Sequence, residues 1–483
     1  MSRYDSPQPN LTGLGIIASL GARFWALVLA IGVITGLGAS ALTWLLHRAE
    51  HLTYGGHAGT LLGAVEAAPG WRRIVALFVA AVIVVGGLAL LGRRSTGGTE
   101  VSEGIWLRSG RLDFPRSVSR GIISIVTVGM GVSLGREAAP QLFGAATASR
   151  LAVWAELPTW QRRLLVACGA GAGFAAIYNV PLGGALMALE VLLGTLALPL
   201  VLPALLCAVS ATAVAWIFLG DRPLYHVLPY AFHPSQLAFA VVAGPVIGLV
   251  AVGWARLISA ANHVRPTGWG RWLAPFAVFL ALAAIALAYP QLLGNGRGII
   301  QLAVLDRLSL GVLVALFLLK PLVTAACVAS GAPGGLFTPT FALGVLLASV
   351  GGTLWNHVWP GAPEPSLALV GGGAFLAAAM QGPIAGVVLV LELTGHFQAL
   401  LVPTIIAVVE ATVLSRRFGA ASIYSARLGR GDTPALTPTG NAAAVSAIYA
   451  LDETLVQPQR VDADRAGGAA DTDRTGDADP KTD

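Results

Sequence analysis

The sequence predicts an all-α protein that crosses the membrane many times and carries one structural plan twice, and three observations lead to that fold class. The first is composition. Of 483 residues, 55% are hydrophobic and 11% charged, against about a quarter charged in ordinary soluble domains, and the mean hydropathy is +0.74. The second is the recurrence of apolar runs near 14–47, 74–92, 118–134, 162–218, 236–261, 272–289, 308–330, 338–355, 366–394 and 399–414. Several exceed the ~20 residues that cross a bilayer, and others are too short to span it. The third is internal repetition. Residues 171–191, GAGFAAIYNVPLGGALMALEV, fall without gaps on 373–393, GAFLAAAMQGPIAGVVLVLEL, so that Gly171/Gly373, Pro181/Pro383, Gly184/Gly386 and Glu190/Glu392 coincide at an offset of 202. Small-residue bias produces chance Gly/Ala matches, but matched Pro and Glu in register argue for common descent of two halves.

Taken in order, the chain opens on a polar segment, 1–20, with no charged leader and cleavage site, so the first long apolar run is expected to serve as the insertion signal. A first membrane half then covers 21–220 and a second 221–430. The end differs in character. From 451 to 483 there are nine Asp/Glu and four Lys/Arg, a net charge of −5 that leaves +11 on the preceding 450 residues. That stretch has almost no apolar side chains, and residues 431–483 are expected to form a disordered acidic tail, too short for an appended regulatory domain. Arginine-rich loops, read with the bias of positive charge toward the cytoplasm, place both termini inside, in a plasma (inner) membrane. Cys168, Cys207 and Cys327 lie singly in apolar runs, as reduced packing residues do.

The two halves also share a break. A shift of 200 pairs GREAAPQLFG (135–144) with GLFTPTFALG (335–344), glycine at both ends of each. In each, a glycine turn precedes residues that can open a helix with proline in or near its first turn. Gly/Pro-interrupted segments at corresponding positions mark the binding site of many two-half transporters. Helix N-termini carry unpartnered N–H groups and a partial positive charge. Two of them converging in a low-dielectric interior form an anion site without a full cation. A buried Lys or Arg would hold a permeant ion too tightly, whereas partial dipoles let it leave.

Glu137 falls in the first turn of the helix that GREAAP opens. On a soluble helix it would read as a first-turn acid answering the dipole, assisted by Arg136. Inside a membrane a carboxylate is costly and points to function. Beside an anion site it can occupy that site as a tethered anion and leave when protonated or displaced, which makes it a gate. Desolvation opposes its charge and the helix ends favour it, so gating is expected to respond to protons.

These residues carry a resemblance. GREAAP at 135–140 resembles the GREGP motif of the CLC chloride channels and proton/chloride antiporters, and SGAPGGLFTP at 330–339 closely resembles their SGAPGGxFxP segment. AAIYNVPLGGALMALEV (175–191) looks like the helix preceding the family's dimer contact, and SIYSARL (422–428) like its last helix. The resemblance covers about residues 20 to 430. It implies an all-helical homodimer, each subunit an inverted-topology repeat with broken and re-entrant helices and its own pore. By motif match Glu137 is the gating, proton-accepting glutamate, the backbone N–H groups of Ala138, Leu336 and Phe337 face the anion, and Tyr424 offers its hydroxyl at the inner side. Without the flanking match, Tyr424 would read as an interfacial aromatic.

Two departures from the family pattern matter. Its GSGIP segment has only GGTEVSE (97–103) as counterpart, which puts Thr99 on the ion-binding serine and Glu100 on a glycine. Thr99 still offers a hydroxyl, but Glu100 brings negative charge toward an anion route; a plain helix-opening cap is the alternative reading. The inner proton-relay acid that follows Glu190 in the family's antiporters is Val191 here, and valine carries no proton. The sequence therefore favours a proton- or voltage-gated chloride channel over the alternative, a proton-coupled chloride antiporter, with fluoride or another small anion a minor option. Glu190 itself, matched by Glu392, reads as a structural acid near a helix end. No cofactor or metal is expected beyond bound chloride ions, and the implied partners are chloride, protons, membrane lipid and a second copy, with no nucleic acid. A membrane-embedded enzyme is disfavoured, since the eight histidines form no H-E-x-x-H and no Cys/His cluster.

Overall fold

The computed structural model describes residues 20–55, 60–92 and 100–425. The polar start, Thr99 and the tail expected at 431–483 lie outside them. In chain order the helices are α1 (Ala22–Tyr54), α2 (Leu61–Ala67), α3 (Gly70–Gly92), α4 (Val101–Trp106), α5 (Phe114–Gly129), α6 (Ala138–Trp154), α7 (Thr159–Tyr178), α8 (Pro181–Leu186) and α9 (Leu198–Leu219) in the first half. The second half holds α10 (Ser235–His263), α11 (Gly270–Ala288), α12 (Arg297–Val304), α13 (Leu310–Ala329), α14 (Phe337–Val358), α15 (Glu364–Met380), α16 (Pro383–Thr394) and α17 (Leu401–Arg417). Helix α8 continues as a π-helix, Met187–Leu193. The described secondary structure is helical apart from one isolated bridge between Gly135 and Gly335.

Among the described residues, seven helices, α1, α3, α9, α10, α11, α13 and α14, are long and apolar enough to cross a bilayer. They divide by burial: α3 hides 28% of its most apolar window and α14 hides 72%. The outer helices turn Leu29, Phe78, Leu202, Val246, Leu273 and Leu318 outward, as lipid-facing helices do. The inner ones are packed on all sides. Gly144 of α6 and Gly169 of α7 illustrate why: a Cβ on either would overlap the carbonyl oxygen of the other. In the second half, a Cβ on Gly344 of α14 would press on Phe375 and on the backbone of Gly371 and Gly372 of α15. Small residues let the backbones approach where lipid gives no hydrophobic drive.

The repeat is legible in backbone detail. Asn179 ends α7 and Gln381 ends α15, both in the left-handed conformation (φ 57° and 60°), 202 residues apart. Gly131 and Gly331, 200 apart, take positive φ (107° and 83°) just after α5 and α13. The long run 162–218, continuous in composition, is cut into three helices by Asn179 and by Gly194, also left-handed. Most telling are the two acids. Glu190 accepts from the amides of Ile384 (3.1 Å) and Ala385 (2.6 Å), while Glu392 accepts from Leu182 (3.1 Å) and Gly183 (2.6 Å). Each half caps the opposite half's helix through equivalent atoms, which requires a two-fold relation between them.

Candidate functional site

The site forms where the two breaks meet. Helix α5 stops at Gly129 and α6 starts at Ala138; α13 stops at Ala329 and α14 starts at Phe337. The intervening loops pair antiparallel through Gly135 and Gly335, each donating its N–H to the other's carbonyl at 2.7 and 2.8 Å. Equivalent residues bonded reciprocally straddle the two-fold, so the N-termini of α6 and α14 are brought to one place. The two glycines leave the space the carboxylate occupies: a Cβ at 135 or 335 would overlap the Glu137 side chain and have to push it aside.

Glu137 has no exposed surface. It stands immediately before α6 rather than inside its first turn, and its side chain does not cap that helix. It crosses to the other half. The Phe337 N–H, first of α14, donates to Oε1 at 2.6 Å, and the Tyr178 hydroxyl donates to Oε2 at 2.9 Å. Since Tyr178 has one proton to give, the Thr338 hydroxyl, 2.7 Å away, donates to Tyr178. A helix N-terminus, a charge-assisted amide bond and a phenol together offset the cost of burying the charge. Phe174, Tyr178 and Phe337 pack edge-on or tilted, with centroids 4.7–5.2 Å apart. The Arg136 guanidinium lies 5.1 Å from the Tyr178 ring centre and donates to the Ile177 carbonyl. Nearby Tyr225, buried against Phe341, has its phenol pKa pushed upward by burial, so it stays neutral next to the charged groups.

Gly335 also forms the wall of a cavity of about 40 Å³, lined with Glu100, Ser102, Arg120, Ser124, Ala138 and Tyr424 among others. That volume holds a small ion or a water. Gly335 borders both this cavity and the Glu137 carboxylate. Glu100 accepts from Arg120 Nη2 at 3.3 Å, so the acid that sequence placed on the anion route has its charge offset by an arginine in the same wall. Of the expected residues, Glu137, Ala138, Leu336, Phe337 and Tyr424 surround this junction. Tyr424 sits in a turn, its chain pinned by the Ile423 N–H on the Ala379 carbonyl, and residues beyond 425 of the expected last helix lie outside the described ones.

Sequence reading missed Tyr178, Thr338, Arg120 and Lys320. Lys320 was findable: a lone cation in an apolar run meets the same criterion that singled out Glu137. Tyr178 gave no such signal, because its partner is set by the crossing of two helices 160 residues apart.

The family model described as "Voltage gated chloride channel" matches residues 78–416. Among similar proteins, the voltage-gated ClC-type chloride channel ClcB of Citrobacter koseri is 30% identical over 404 residues, covering 82% of this chain and 96% of that one. Its counterpart in Salmonella typhimurium is 31% identical with the same coverage. Among solved structures, a slow cyanobacterial Cl⁻/H⁺ antiporter aligns with a TM-score of 0.74 at 20% identity, over 84% of this chain and 97% of that one. A CLC-type fluoride/proton antiporter aligns at 0.68 with 23% identity, over 85% and 98%. At these identities the two likenesses bear on fold alone.

Proposed function

The chain belongs to the voltage-gated chloride channel family, and from that membership we propose that it carries chloride across the membrane through a pore closed by Glu137. The observation that carries this reading is the carboxylate resting on the Phe337 amide. An anion on a tether fills a place that a free halide would fill with the same charge, so leaving and entering are an exchange of like for like. Ala138, Leu336 and Phe337 supply the backbone donors, and Tyr424 serves the adjoining cavity. Thr99, next to Glu100 in sequence, is assigned the remaining hydroxyl.

Within the family the reading favoured here is a proton- or voltage-gated channel. Val191 stands where a second proton carrier is needed, and Glu190 is held by two amides of the opposite half, which leaves it a structural part. Protons then act at Glu137 as a gate signal. We further assign the repeat halves to 21–220 and 221–430, both termini to the cytoplasm, and the working form to a homodimer with one pore per subunit.

The test is transport in chloride-loaded liposomes under ionophore-controlled voltage with an external pH electrode. Chloride flux without uphill proton movement is expected. Proton uptake driven uphill by a chloride gradient would replace the channel with the antiporter, and absence of any chloride flux would dismiss the function.

A further inference from the structure

Among the described residues, two acidic or basic side chains have no exposed surface at all, Glu137 and Lys320. Lys320 lies within α13, in an apolar run where an unbalanced charge is expensive. Its Nζ donates to Ser133 Oγ at 2.9 Å, to the Gly294 carbonyl at 2.9 Å and to the Leu292 carbonyl at 3.2 Å. An ammonium has three N–H donors, and all three meet neutral oxygens. The hydrogen bonds are satisfied and the charge is not neutralised by any of them.

The acceptors locate that charge. Ser133 belongs to the first-half break, four residues before Glu137, and also lies 3.2 Å from Thr324, one turn beyond Lys320. Gly294 donates to the Gly131 carbonyl at the other end of the same break. Residue 120 is the first-half equivalent at the offset of 200, and there the cation, Arg120, is bonded to the Glu100 carboxylate. Each half thus places one cation at this equivalent position, and the first half carries a further buried one, Arg136, within the break itself. Of the equivalent pair, the first is answered by an acid in hydrogen-bond contact, the second by neutral oxygens only. The ionisable group that acts directly on Lys320 is Cys327 on α13; the break that Lys320 touches through Ser133 also carries Arg136, three residues further on.

We propose that Lys320 is a counter-charge of the anion site alongside Arg136, balancing Glu137 while the carboxylate is seated and the mobile anion once it has left. The proposal rests on the gate reading of Glu137. Because its donors are all engaged by Ser133, Leu292 and Gly294, Lys320 acts through its field rather than by contact. It raises affinity without gripping the ion, which reconciles a buried lysine with a site that must release what it binds.

The test uses purified protein carrying Glu137→Gln, so that the gate cannot ionise, and measures chloride binding by isothermal titration calorimetry. Lys320→Gln, which keeps hydrogen-bonding capacity and loses the charge, is expected to weaken binding about tenfold, the order of one charge acting across a poorly polarisable interior. Lys320→Met is expected to do the same, and Lys320→Arg, which keeps the charge, to restore binding to within about threefold of the parent. Unweakened binding in Lys320→Gln, or equal loss in Lys320→Arg and Lys320→Gln, would overturn the proposal. Failure of the gate reading is separable: it appears as an unchanged proton response on Glu137→Gln alone, before residue 320 is touched.

Discussion

The Oε1 of Glu137 lies 2.6 Å from the amide nitrogen of Phe337, so an acid from the first half of the chain caps a helix of the second. A carboxylate gains most where a helix N-terminus is buried and dry. The same place suits a halide, and under the proposed function the two compete for one set of donors.

Protonation should therefore open the pore. A neutral carboxyl loses the charge-assisted part of its bond to Phe337, which favours the released side chain as pH falls. Glu137→Gln is expected to abolish the proton dependence of chloride flux in liposomes and to leave flux itself in place. A variant whose flux still rises with acid to the wild-type extent removes Glu137 from the gate.

The Tyr178 hydroxyl holds the other carboxylate oxygen. Tyr178→Phe removes a hydrogen bond to a charged group, worth about 1.5–3 kcal/mol. The seated state should lose about ten- to a hundredfold in population relative to the released one, and chloride flux at neutral pH should rise accordingly. Unchanged neutral-pH flux at unchanged melting temperature would argue that the phenol is packing alone.

Gly335 keeps open the space in which the carboxylate rests. Its backbone φ lies outside the positive range, so alanine is tolerated by the chain, but the methyl would overlap the Glu137 carboxylate. Gly335→Ala is expected to displace the gate and give flux that no longer responds to pH, with stability reduced by about 1–3 kcal/mol for the overpacked contact. Retention of a normal pH response in this variant would mean that the carboxylate rests elsewhere.

Glu190 and Glu392 should behave as a matched structural pair. Each accepts two amides from the opposite half, and loss of such a cap costs about 0.5–2 kcal/mol. Glu190→Ala and Glu392→Ala are expected to lower the melting temperature by similar amounts while leaving chloride flux per folded protein and its pH response intact. A selective effect of Glu190→Ala on proton response would instead make it a relay.

Much of this was legible in the sequence because repetition and punctuation are local. The offsets of 200 and 202, the glycines at 135 and 335, and the proline that opens α16 after Gln381 mark both the halves and their breaks. The intramembrane acid identified itself by cost. What stayed hidden was set by crossings between distant helices: which helix Glu137 caps, that Tyr178 reaches it, that Arg120 answers Glu100. Hydropathy likewise read 162–218 as one run, since a left-handed asparagine at 179 changes direction without changing composition.

The most direct measurement is anomalous diffraction from crystals of the Glu137→Gln protein soaked in bromide. A peak within hydrogen-bonding distance of the Phe337 amide, where the carboxylate oxygen sits in the wild type, is the predicted result. Bromide bound elsewhere, with that amide left to another partner, would contradict the competition between gate and ion.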